Sequence, residues 1–231
     1  MFLLGQAFGP KGVDPGHSQP INARLNTDLA LDYGQLAGVH VDLRHCQHLC
    51  NRMLELRPQL KRMQKQSLPE NQILQTVDEM RMTMITALVV YVRCFSGGKR
   101  LRLDHTQVWK EKDPARDAHH YFKNVRDKFV AHPVNDFEDV AVALTYVMEE
   151  DHPVIFAVSD AYGASVLPNE YLIRWLRRLS KQAQKYVENR LDQLRPQLIK
   201  AGKSLTVDEL QALPKLLIKA GNFNEPGKAK D

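Results

Sequence analysis

The sequence predicts a mainly α fold, a bundle of four to five helices with one β-hairpin inserted late in the chain. Two periodicities carry that expectation. Apolar residues recur in steps of three and four along most of the chain, as in helices that bury one face. From Val140 to Val158 the step drops to two, as in a pair of half-buried strands. The chain has 231 residues, no internal repeat and no low-complexity block, which suits one domain with an appendage.

In chain order, residues 1–34 read as an extended arm, punctuated by Gly5, Gly9, Pro10, Gly12, Pro15, Gly16 and Pro20. A helical domain then spans residues 35–200. Its first helix begins near Leu36, with Leu36, Val39, Leu43, Cys46, Cys50, Met53 and Leu60 as the buried stripe and Arg57 in the one missing slot. Pro58 removes a backbone donor and should kink or break this helix. A second helix runs from about Asn71 to Phe95 on a core face of Ile73, Val77, Met80, Met84, Leu88 and Val92. Residues Ala87 to Tyr91 are apolar nearly all round, so this segment should be the most buried, with Gly97-Gly98 as its C-cap.

The next helix runs from Asp113 to His132. Asp113 suits the N-cap, Pro114 the first helical position, and Pro133 the stop. Ala118, Phe122, Val125 and Phe129 form its apolar stripe, with Arg126 on one shoulder and His132 on the other. The hairpin, about residues 139–159, alternates Val140, Val142, Leu144 and Tyr146 with Ala141, Ala143 and Thr145, and resumes at Val154 to Val158. A lone hairpin is marginal, so it should pack on the helices. Pro168 opens a long helix to about Ile199, with Leu172, Leu176, Leu179, Ala183, Val187, Leu191 and Leu194 inward. In residues 201–231, Thr206 and Glu209 resemble the capping box of a short helix reaching Ile218, and a polar, disordered tail follows.

Composition narrows the function classes. A formal net charge of +5 and a pI near 9.1 permit a polyanionic partner. Three cysteines without a CxxC suggest reduced thiols in a cytoplasm. The start MFLLGQAFGP lacks the basic region of a signal peptide, and the longest apolar run, Ala87 to Val92, is too short to span a bilayer, so no membrane partner is expected. His40, His45, Cys46, His48 and Cys50 raise zinc, but Cys46 and Cys50 fall on the core stripe, where thiols pack as small apolar groups. No P-loop, GxGxxG or serine-nucleophile motif is present, and no metal or cofactor is expected.

The segment VRDKFVAH, residues 125–132, resembles the signature of the HEPN superfamily, small helical domains of toxins, abortive-infection proteins and other RNA-targeting defence proteins. That signature is an Arg, a polar residue and a His four to six residues on. Arg126, Asp127 and His132 match it, with five residues between Arg and His. YVRCFSGGKR (91–100) followed by RDKFVAHPVNDFED (126–139) also resembles bacterial abortive-infection members. The similarity covers roughly Leu36 to Glu138, extends at most to the Pro168 helix, and leaves out the arm, the hairpin and the tail. Arg100 and His105 show a similar spacing, but they lie beyond Gly97-Gly98, outside any helix the sequence argues for.

The resemblance implies a HEPN-like bundle and a metal-independent endoribonuclease of toxin or phage-defence type, with RNA as partner, a homodimer with a composite site at its seam, and a cognate antitoxin or regulatory protein. The chemistry suits the residues. RNA carries its own nucleophile, the 2′-OH. His132 would move the proton and Arg126 would stabilise the charge on the phosphorane-like transition state. On one helix the two point about 120° apart, so two antiparallel copies assemble the site better than one. Asp127 would orient His132 or accept from the ribose; its structural alternative is an ion pair with Lys123 or Lys128. His119 and Lys123 would form a phosphate-facing ridge, against the alternative of a solvated helix face. Lys128, Arg93 and Arg100 would track the RNA backbone, against the alternative of ordinary charged surface. Arg126 as a local ion-pair partner and His132 as a cation at a helix C-terminus are the structural alternative for the motif. A non-catalytic interaction or RNA-binding module is the alternative function.

Overall fold

The computed structural model describes residues 24–98, 101–131, 138–149, 152–164 and 169–214, with side chains described through Lys128 and again from Asn169. It is mainly helical, and the helices lie close to where the apolar periods place them. Helix α1 spans Asp28–Lys65, α2 Glu70–Arg93, α3 His105–Val108, α4 Pro114–Ala131, α5 Glu170–Lys203 and α6 Val207–Ala212. Between α4 and α5 the backbone forms two antiparallel strands, β1 (Glu138–Glu149) and β2 (His152–Ala164), with Glu138 opposite Ala164, Glu149 opposite His152 and an irregularity between Thr145 and Tyr146. The two strands pair with each other along their length. Their packing on the bundle rests on side chains outside the described residues.

The core is built on α1, which packs along both α2 and α5. Leu43, Cys46, Cys50 and Met53 of α1, Ala87, Tyr91 and Val92 of α2, and Ile173, Leu176, Leu179, Ala183 and Val187 of α5 have no exposed surface. Closing such a face supplies most of a helix's stability in a protein. Arg93 of α2 straps α1 from outside: its Nε donates to Asp42 Oδ2 at 2.7 Å and its Nη2 to Oδ1.

Several expectations shift. Residues 28–34 belong to α1, because Thr27 caps it and accepts from the Ala30 amide at 3.2 Å. The helix runs through Pro58 to Lys65. Pro58 faces solvent, so the carbonyl it deprives of a partner is left on the water side. The α1 stripe does not leave a gap: Leu56 is buried with Leu60 and Met80 in a smaller cluster against Ile73 and Val77 of α2. Arg57 faces the start of α5 instead, where its charge helps hold the Glu170 carboxyl below its usual range, behind the larger effect of Arg174.

α2 stops at Arg93, with Cys94 as C-cap, so Gly97-Gly98 lie in the loop beyond. Asn169, not Pro168, caps α5 by accepting from the Leu172 amide at 2.8 Å. The Thr206–Glu209 capping box is present at α6. α6 ends at Ala212, short of the expected Ile218, and residues 215–231 lie outside the described residues. No described helix is long and apolar enough to cross a membrane.

Candidate functional site

Four of the residues singled out by the sequence, His119, Lys123, Arg126 and Asp127, lie on α4 where it meets the end of α2 and the short α3. Asp104 starts α3 by accepting from the Thr106 amide at 2.9 Å and its hydroxyl at 2.8 Å. Asp113 starts α4 by accepting from the Ala115 amide at 2.9 Å. Trp109, between them, is buried, and its indole N–H donates to Gln182 of α5 at 3.0 Å. These anchors fix how α4 is rotated: Ala115 and Phe122 point into the core, with Ala118 and Val125 partly buried beside them.

That rotation takes His119 inside. It is 1 % exposed and shares a hydrogen bond of 2.9 Å with the Tyr91 hydroxyl. Its ring packs among Phe95 at 4.5 Å, Trp109 at 5.1 Å and His105 at 5.3 Å between centroids. Burial first, then the nearby His105, His120 and Lys123, push its pKa down to about 3. A neutral buried imidazole cannot pair with a phosphate, so the expected ridge of His119 and Lys123 is corrected. The exposed neighbour is His120, one residue and about 100° further round. His105, placed outside any helix by the sequence, is the first residue of α3 and stacks on His119 at 18° between ring planes.

Arg126 keeps its shoulder position. Its side chain is 26 % exposed, Nη2 donates to the Ser96 hydroxyl at 2.8 Å, and Nη1 lies 3.0 Å from Asp127 Oδ1. The other Asp127 oxygen meets Lys123 Nζ at 3.3 Å. Asp127 thus sits between two cations, the ion-pair arrangement foreseen as its structural alternative, with Lys123 rather than Lys128 as partner. The loop after α2 therefore grips one face of the guanidinium, while Asp127 and the rest of its edge stay at the surface.

The remaining candidates are spread out. Arg93 is engaged with Asp42 on the α1 side, and that hydrogen bond is the largest cause of its raised pKa. Lys128 is exposed. Arg100 and His132 lie outside the described residues, so the Arg126–His132 geometry is not given. Cys46 and Cys50 are core residues, and Ser180 donates to Cys46 Sγ at 3.1 Å. His45 and His48 point to solvent, and His40 lies 3.0 Å from Glu188. Among the described residues no three His, Cys, Asp or Glu converge for a metal ion.

Sequence reasoning missed Ser96 and Tyr91 as parts of this region and set His105 aside. The Asp104-x-Thr106 cap was a readable signal for α3; the aromatic box around His119 is assembled by tertiary packing and has no local one. No protein family, curated protein or solved structure matches this chain.

Proposed function

We propose that this chain is a HEPN-type, metal-independent endoribonuclease of the toxin or phage-defence kind, working as a two-fold homodimer in the cytoplasm and held in check by an antitoxin or regulatory protein. In this reading the helices form the HEPN-like bundle and the paired strands are an insertion into it. One observation carries the proposal: Arg126, the residue the motif assigns to the phosphate, is half-buried near the end of an amphipathic helix and gripped by a neutral hydroxyl from the loop after α2. A guanidinium fixed in place stabilises a developing charge without having to be ordered during the reaction.

The step is a transesterification. The 2′-oxygen bonds to phosphorus, the bond from phosphorus to the 5′-oxygen breaks, and the 2′ proton leaves to a base while the 5′-oxygen gains one from an acid. His132 is the residue for that transfer, with the partner subunit completing the site. Arg126 holds the non-bridging oxygens, and Asp127 sets the guanidinium plane.

The alternative, a non-catalytic RNA-binding or interaction module, is favoured by the closed Lys123–Asp127–Arg126 set, which needs no ligand to be satisfied. Incubation with single-stranded and looped RNA in EDTA separates the two. The nuclease cuts RNA and leaves a 2′,3′-cyclic phosphate on the 5′ fragment, and a 2′-deoxy residue at the cut blocks it. Intact RNA after prolonged incubation, with RNA binding retained, leaves the module.

A further inference from the structure

We infer that His105 and His120, flanked by Arg116 and Lys123, form a second phosphate-binding subsite on the surface where α3 meets α4, and that its occupant is a backbone phosphate of the RNA. The inference extends the ribonuclease reading, and its inorganic-phosphate arm stands without it.

The two rings meet edge to face, 4.9 Å between centroids and 78° between planes. His105 is backed by the buried His119 ring, so one wall of the site is rigid. His120 is exposed. Arg116 lies one turn before it on α4 and Lys123 one turn after, so both flank it on the same face. Two imidazoles thus sit beside two cations whose charge reaches His105.

Three carboxylates oppose them. Asp117, three residues before His120, lies on the same face of α4. Asp104 is 4.0 Å from His105 Nδ1 and is already engaged by the Thr106 amide and hydroxyl. Asp127 is 3.3 Å from Lys123. Arg102 adds a further positive charge near Asp104. From α2 the facing group is the Tyr91 phenol, which burial keeps protonated. A metal ion is the other common ligand for grouped histidines, but His119 is committed to Tyr91 and no set of three ligands converges here among the described residues.

Proton uptake links the site to its ligand. Burial first, then His120 and Arg116, hold the His105 pKa below its ordinary value. An anion between the rings reverses the like-charge part of that penalty and favours the protonated forms. Binding should therefore take up a proton and tighten as pH falls through the histidine range. Arg126 lies six residues beyond His120, about 9 Å along the helix axis and about 120° round it, so a strand held here has to curve around α4 to reach the proposed cleavage site.

The test is a histidine ring-proton NMR titration of the full chain with inorganic phosphate, assigned with His105→Asn and His120→Asn. Both changes are at accessible positions, and circular dichroism checks that the variants fold. Phosphate should raise the apparent pKa of His105 by about half a unit or more and shift the ring protons of His120, while His119 does not titrate above about pH 5. In the second arm the double variant should raise KM for a short RNA about tenfold with kcat nearly held. No phosphate-dependent shift at either ring overturns the site. A phosphate shift with unchanged KM overturns RNA as its occupant. A phosphate shift in a protein that cuts no RNA overturns the ribonuclease reading and leaves the subsite standing.

Discussion

From Ala115 to Phe122, α4 is locked into the bundle: Ala115, His119 and Phe122 are each at most 1 % exposed, and the rings of Tyr91, Phe95 and Trp109 close over His119. From Lys123 to Lys128 the same helix has a different character. Val125 is only partly buried, and Lys123, Arg126 and Asp127 are tied to one another and to Ser96 at the surface. The contrast teaches where substitutions act. The first half decides whether α4 docks. The second, which carries the motif, can be altered with little effect on folding.

The largest expected break in that contrast is Phe122→Ala. It empties a core position and should cost about 3–5 kcal/mol, read as a large fall in the denaturation midpoint. A loss under about 1 kcal/mol would mean that the first half is not the docked half.

Acid should come next. His119 is neutral when folded, with a pKa near 3, and ordinary when unfolded. The unfolded chain therefore binds the extra proton. Stability should be intact above about pH 6.5 and fall by up to about 1.4 kcal/mol per pH unit below it, towards the folded value. His119→Gln should flatten that part of the slope in urea melts taken from pH 7 to pH 4.5. An unchanged slope would place the titration elsewhere.

Arg93→Ala should cost about 1–3 kcal/mol, because the guanidinium is half exposed but the Asp42 carboxylate it serves is nearly buried. RNA cleavage by the folded variant should stay at the parental rate, separating Arg93 from the RNA contacts. Smallest of all, Asp127→Asn should change stability by less than about 0.5 kcal/mol, since its two ion pairs are at the surface. A larger loss would mean that the motif half is structural after all.

Much of this fold was legible. The 3.6-residue period set four long helices to within a few residues at most ends, and Thr206 with Glu209 and Asp113 marked real caps. What failed did so for physical reasons. α3 is only four residues long, too short to show a period. Leu56 replaced Arg57 in the buried stripe because Leu56 and Leu60 pack on Met80, Ile73 and Val77 of α2, while Arg57 lies near Glu170 at the start of α5.

At the site, one residue made the difference. Ala118, Phe122 and Val125 define the apolar side of α4, but not how far the buried arc extends. Trp109 and Phe95 extend it over His119, and no pattern within α4 records their approach. A neutral imidazole with apolar faces and one polar partner fits such a box as well as it fits solvent. Arg126 was read correctly as a shoulder residue because it lies just outside that arc.

The division of α4 is tested most directly by Arg126→Ala, with single-turnover RNA cleavage in EDTA and thermal melting measured on the same preparation. Cleavage should fall about 10²–10³-fold, by analogy with a lost oxyanion donor, while stability changes by less than about 1 kcal/mol because the guanidinium is only half-buried and its ion pair lies at the surface. Cleavage at the parental rate, or a loss of activity that merely follows a loss of folded protein, would contradict the account.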